Sequence, residues 1–206
     1  MNQITLLNQQ EIEQKIYKFQ SALNDETLTD EVIVQKYIIH GTPYVFKNNE
    51  DGYFDLKSNI ANFFDEKPEN IHMVGSGKLG FSISPNIKQN KLWRPFSEES
   101  DIDIVIVSEK GFVKFWEELY NFNISLTSRN NKEEEKYQNF LKYFFKGWLR
   151  PDLFPFRYYN KDRWHDFFRA ISYKYTDHKI SAAVYYNYNF FEKYHIQNIK
   201  NLRSVK

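Results

Sequence analysis

The chain has 206 residues, enough for one large domain, and its 41% hydrophobic and 27% charged residues are the balance of an ordinary folded protein. Lys and Arg total 28 against 27 Asp and Glu, and the net charge of +1 excludes a global basic field for drawing in nucleic acid. The absence of cysteine excludes disulfides, thiolate metal sites and a cysteine nucleophile, and no apolar run approaches the roughly 20 residues that span a bilayer.

The first fifteen residues lack the basic start and apolar centre of a signal peptide, so the expected location is the cytoplasm, with no membrane partner. Residues 4–23 set Ile4, Leu7, Ile12, Ile16, Phe19 and Leu23 at helical spacing. A second helix is expected from Thr29, a good N-cap, to Gly41. A third is expected over 52–64, with Phe54, Leu56, Ile60, Phe63 and Phe64 on one side and Pro68 barring its continuation. Ile71, Met73 and Val74 then form a short apolar run that ends in Gly75-Ser76-Gly77, the pattern of a buried strand running into a tight turn. Residues 84–99 make an excursion that carries Lys88, Lys91, Trp93 and Arg94.

Residues 101–107 alternate at their start and end in β-branched residues, which predicts a strand. Helices are expected over 111–121 and 131–149, the latter with an acidic start at Glu133, Glu134 and Glu135 that suits the helix dipole. The Pro-rich stretch 150–155 breaks it. A helix over 161–174, a third strand over 180–186 and a closing helix over 189–203 complete the chain. The pattern implies an α/β (α+β) fold in one domain over 1–206, a small mixed sheet flanked by helices. N-terminal helices fill 1–65, a central motif region 70–108, and a mainly helical part 109–206.

Chemistry concentrates in two places. Residues i and i+2 of a strand point the same way, so Asp101 and Asp103 project side by side, with Ile102 turned into the core. Carboxylates that close repel each other, and a hard divalent cation such as Mg²⁺ or Mn²⁺ relieves the repulsion. Gly75 and Ser76 suit phosphate binding, through backbone N–H groups exposed by the turn and a hydroxyl donor, and Lys78 supplies charge. The P-loop reading of the same stretch fails: it needs glycine where His72 stands, and no Ser or Thr follows Lys78. None of the five histidines is paired at i, i+4 spacing, which argues against zinc. His72 reads as a core or rim residue, and Tyr185, Tyr186, Tyr188, Phe190 and Phe191 as packing against helices rather than stacking on a base.

The pair Val74-Gly75-Ser76 and Ser100-Asp101-Ile102-Asp103-Ile104-Val105 resembles the polymerase-beta-like nucleotidyltransferase superfamily, over roughly residues 70–108. Lys78-Leu79-Gly80-Phe81-Ser82 looks like the short helix of that family. The resemblance implies that Gly75, Ser76 and Lys78 bind the nucleotide and that Asp101 and Asp103 are catalytic metal ligands. The implied reaction moves an NMP from an NTP to an acceptor, which is RNA, a protein hydroxyl or a second nucleotide. For a stand-alone member it also implies phage defence or a toxin system. Two features depart from the pattern. Leu79 stands where minimal members carry Arg, and 25 positions separate Ser76 from Asp101, longer than the usual gap. The family's third carboxylate, the base for the attacking hydroxyl, has only two weak candidates here: Asp152 in a Pro-bracketed loop and Asp177 before the third strand. Arg150 and Asp152 read better as a structural ion pair. The rival expectation is therefore an inactive nucleotide-binding or partner-binding module on the same fold.

Overall fold

The computed structural model describes residues 8–84, 92–126 and 128–204. Ile4, Leu7, Lys88 and Lys91 lie outside the described residues. Helix α1 spans Gln9–Asn24, and the Asn8 side chain accepts the Gln10 N–H at its start. Helix α2, Asp30–Ile33, is capped by Thr29, whose hydroxyl accepts from the Val32 N–H. It continues without a break into a π-helical turn, Val34–Ile39, so the single helix expected over 29–41 is present with a widened second half. A 3₁₀ turn at Tyr44–Phe46 leads to α3, Glu50–Phe64.

Strand β1, Ile71–Val74, runs directly into the short helix α4, Gly75–Leu79. The short helix expected around 78–82 thus begins earlier, at Gly75. It stops at Gly80, and Phe81–Ser82 is strand β2, paired antiparallel with β3, Arg94–Pro95. Arg94 and Pro95, late in the 84–99 excursion, thus pair with Ser82 and Phe81. Strand β4 is Ile102–Val107, followed by α5, Glu109–Ile124, and α6, Asn131–Phe145. Asn130 and Glu133 cap α6 reciprocally, so the acidic start is a capping box. Helix α6 ends four residues before the expected boundary, because Gly147 takes a φ of 75° and Trp148–Leu149 leaves as strand β5. Helix α7, Tyr159–Tyr175, strand β6, Ile180–Tyr185, and α8, Tyr188–Ser204, complete the chain.

The main sheet has the order β1-β4-β6-β5 and is mixed: β4 is antiparallel to β1 and parallel to β6, and β5 is antiparallel to β6. The parallel β4–β6 step needs a crossover, and α5, α6 and α7 supply it. Strand alternation gives the sheet two packed faces. Ile102, Ile104 and Ile106 bury one face with Ile180, Ala182 and Val184, against residues of α3, α5, α6 and α7 such as Leu56, Phe112, Phe140 and Phe168. Val74, Val105 and Tyr185 bury the other against Ile12 and Phe19 of α1, Ile33, Ile38 of the π-helical turn, and Phe191 of α8. Asp103 and Ser181 share the second face, since they alternate with Ile102 and Ile180. Among the described residues no helix is long and apolar enough to cross a membrane.

Candidate active site

The β1–β4 register places Val74 opposite Asp103, so the chain turns out of β1 beside that aspartate. Gly75 makes the turn at a φ of 67°, and a Cβ on it would stand 2.5 Å from Asp103 Oδ2. A residue without a side chain is required there on both counts. Ser76 follows as the second residue of α4, half-buried, and its carbonyl accepts the Gly80 N–H at 2.8 Å. Gly75 and Asp103 are thus brought together by one strand pairing, whereas Ser76 and Asp101 are not among the residues that line the cavity beside them.

Asp101 precedes β4 and is fixed by its neighbours. His178 Nδ1 lies 2.8 Å from the Ser100 carbonyl, and the Ile102 N–H donates to the Lys179 carbonyl at 2.9 Å. The Asp101 carboxylate is exposed and sits 3.4 Å from Lys179 Nζ. Asp103 is half-buried. Burial and then the charge of Asp101 push its carboxyl up from 3.8 to about 6, opposed by Arg150 and Lys179. The two acids are therefore electrostatic neighbours, as the i, i+2 spacing requires, and Ile102 between them is fully buried.

Asp103 and Gly75 line one end of a cavity of about 590 Å³ between the sheet and α8. Arg150, Ser181, Trp148, Tyr194 and Asn198 also form its wall. A cavity of this size with apolar and aromatic walls and a few convergent polar groups is the usual form of a small-molecule site. His195, buried beside it, is pushed down to about 4 by burial and stays neutral.

Lys78 is not part of this end. Its ammonium, on a side chain buried with its residue only 6% exposed, donates to the carbonyls of His40, at 2.5 Å, and Gly41. Asp152 is held by Arg150 through Nη2–Oδ2 and Nε–Oδ1 contacts of 2.6 and 3.2 Å, the structural pair expected from the sequence. Asp177 is exposed, in a left-handed turn after α7. The strand position beside Asp103 on β6 belongs to Ser181. Among the described residues no group of three or more His, Cys, Asp or Glu is placed to hold a metal ion.

The sequence reading missed Ser181, Lys179 and His178 as neighbours of the acids. The signal for them was the strand 180–186 itself, because a parallel partner of β4 must bring its first residues beside Asp101 and Asp103. His72, by contrast, packs on Phe191 at a ring distance of 5.2 Å, and burial pushes it down to about 4, in keeping with a rim residue. Tyr185 and Phe191 are buried in the second core. Comparison with protein-family models, curated proteins and solved structures gives no match. The resemblance to nucleotidyltransferases rests on the motif residues alone.

Proposed function

We propose that this protein is a metal-dependent nucleotidyltransferase that takes an NTP at the Gly75–Asp103 end of the large cavity and moves the NMP to a hydroxyl-bearing acceptor. The observation that carries the reading is the fit of Gly75 against the Asp103 carboxylate, which joins the Gly-Ser turn to the paired acids. The donor set fits a hard cation: two adjacent carboxylates, one pushed up by burial and then by the other, together with substrate phosphates are what Mg²⁺ ordinarily takes. Asp101 and Asp103 would hold it, and the charge it supplies is what neutralises a triphosphate. Ser76 and the first N–H groups of α4 would face the outer phosphates, and the turn at Gly75 lets backbone approach them. The aromatic wall of Trp148 and Tyr194 offers apolar surface for a base or sugar.

A second reading, nucleotide binding without turnover, is favoured by one observation. Ser181 stands beside Asp103, and Asp152, a candidate third acid, is engaged by Arg150. A serine hydroxyl is a poor base at neutral pH, so with Asp101 and Asp103 holding the cation Ser181 does not supply an acceptor for the attacking hydroxyl's proton.

Calorimetric titration with ATP and Mg²⁺, followed by pyrophosphate release in the presence of cellular RNA and protein, tests both. Binding and release that Asp101→Ala/Asp103→Ala abolishes is the expected result. Binding without release selects the second reading, and no binding at millimolar Mg²⁺ overturns both.

A further inference from the structure

Leu79 is shared by the large cavity and a second one of about 400 Å³, enclosed by α1, the π-helical turn and α4. Lys15 and Lys18 of α1, Lys36 of the π-helical turn and Lys78 of α4 all line it, and Glu11 is the only carboxylate among the described lining residues. Glu11 is already engaged: both its oxygens accept from Lys47 Nζ, at 2.7 and 2.6 Å. Four lysines therefore line one concave space whose single described carboxylate already binds Lys47. In a chain of net charge +1, this is placement rather than composition.

Lys78 makes the imbalance acute. It is buried, and among the described residues its ammonium donates to the carbonyl oxygens of His40 and Gly41 and meets no carboxylate. An ammonium without a counter-ion in a low-dielectric site is costly, and burial together with the charges of Lys15 and Lys57 pushes it down to about 8. Lys15 is pushed down in the same sense, by burial first, with Glu11 opposing and Lys47 and Lys18 adding to the shift. A multiply charged anion in the cavity removes this repulsion, and low-dielectric walls focus the field on it. Lysines serve phosphate as point charges, without the planar geometry that arginine demands. Phe19, Tyr37 and Phe81 give the same cavity an apolar side.

We propose that this lysine-lined cavity is a ligand site separate from the one around Asp103 and that it takes a polyphosphate group, whether from a free nucleoside triphosphate or from the 5′-triphosphate end of an RNA. The site needs no divalent cation, because its charge is already positive, and this sets it apart from the paired aspartates.

Titration of the full chain with sodium tripolyphosphate in EDTA, at low and high salt, tests it. The expected result is saturable binding that weakens with salt. Lys15→Gln/Lys36→Gln should weaken it about tenfold, and Asp101→Ala/Asp103→Ala should leave it intact. Lys36 is exposed, so Lys36→Gln alone serves where the double variant does not fold. Absence of saturable binding, or equal binding by the lysine variants, overturns the proposal. Loss in the aspartate variant also overturns it, because the ligand is then in the other cavity. Competition by ATP or by a triphosphate-ended RNA oligomer identifies the source, and competition by neither overturns the polyphosphate assignment. Because the assay excludes metal, its failure and that of the nucleotidyltransferase reading are separable.

Discussion

Replacing Gly75 by alanine should separate backbone strain from crowding at the heart of the candidate site. The residue takes a φ of 67°, and a Cβ there would stand 2.5 Å from Asp103 Oδ2, 3.4 Å from Cγ and 3.6 Å from Cβ. The left-handed backbone costs an L-residue about 1 kcal/mol. The contact with Oδ2 is too short to persist, so the carboxylate or β1 must shift, for about 1–3 kcal/mol more. Gly75→Ala should therefore destabilise the protein by about 2–4 kcal/mol, read by urea unfolding. In an Asp103→Ala background the oxygen is gone and the 3.6 Å contact with Cβ is ordinary, so only the backbone part should remain. A double-mutant cycle should thus give a coupling of about 1–3 kcal/mol. Additivity within about 0.5 kcal/mol would refute the close approach on which the site depends.

Further outcomes follow from other contacts. Asp103 is pushed up from 3.8 to about 6, so the folded state holds a proton that the unfolded chain has released, and wild-type stability falls as pH rises through that window. Asp103→Asn in EDTA should be more stable than wild type above that range, by at most about 3 kcal/mol, with the gap closing below it; a gap independent of pH counts against the assignment. Ser108 caps α5 by accepting the Gly111 N–H at 2.8 Å and also donates to Glu66, so Ser108→Ala should lower stability by about 1–2 kcal/mol in denaturant unfolding. Gly147 has a φ of 75° and a Cβ there would stand 2.2 Å from the Phe190 ring. Gly147→Ala should cost about 2–4 kcal/mol, and a thermal midpoint equal to that of wild type would show that the α6–β5 turn relaxes freely.

Three of the four strands of the main sheet were legible because their patterns have one physical cause each. β4 alternates at its start and is β-branched at its end, and β6 and β1 are apolar runs bounded by turn residues. β5 was not legible. Two residues, Trp148 and Leu149, continue the apolar spacing of α6, and only pairing with Val184 and Tyr185 makes them a strand. The π-helical turn after Ile33 leaves no mark either, since its residues fit an ordinary helix. At the site, period two placed Ile102 and Asp103 on opposite sides of β4, and the glycine at the end of β1 marked the turn. Lys78 illustrates the limit of reading neighbours in sequence as neighbours in space. It lies one helical turn beyond Gly75, and its long stem reaches the carbonyls of His40 and Gly41. Those acceptors come from a segment nearly forty positions earlier, and the 78 region says nothing of them.

The electrostatics of the paired acids constrain what Asp103 can do in either reading. Without a cation, its raised carboxyl would exchange a proton near neutral pH and so qualify as a base. With a cation bound, the repulsion from Asp101 is offset and the carboxylate is held ionised as a ligand, which removes it from proton transfer. One side chain cannot serve both roles at once. The neighbouring position on β6 offers only the hydroxyl of Ser181, and Arg150 stabilises negative charge without accepting a proton. Turnover would therefore require the acceptor's proton to leave through solvent or through a group that the acceptor brings. In the second case the acceptor is part of the catalytic apparatus, and the cellular RNA and protein of the pyrophosphate assay are what supply it.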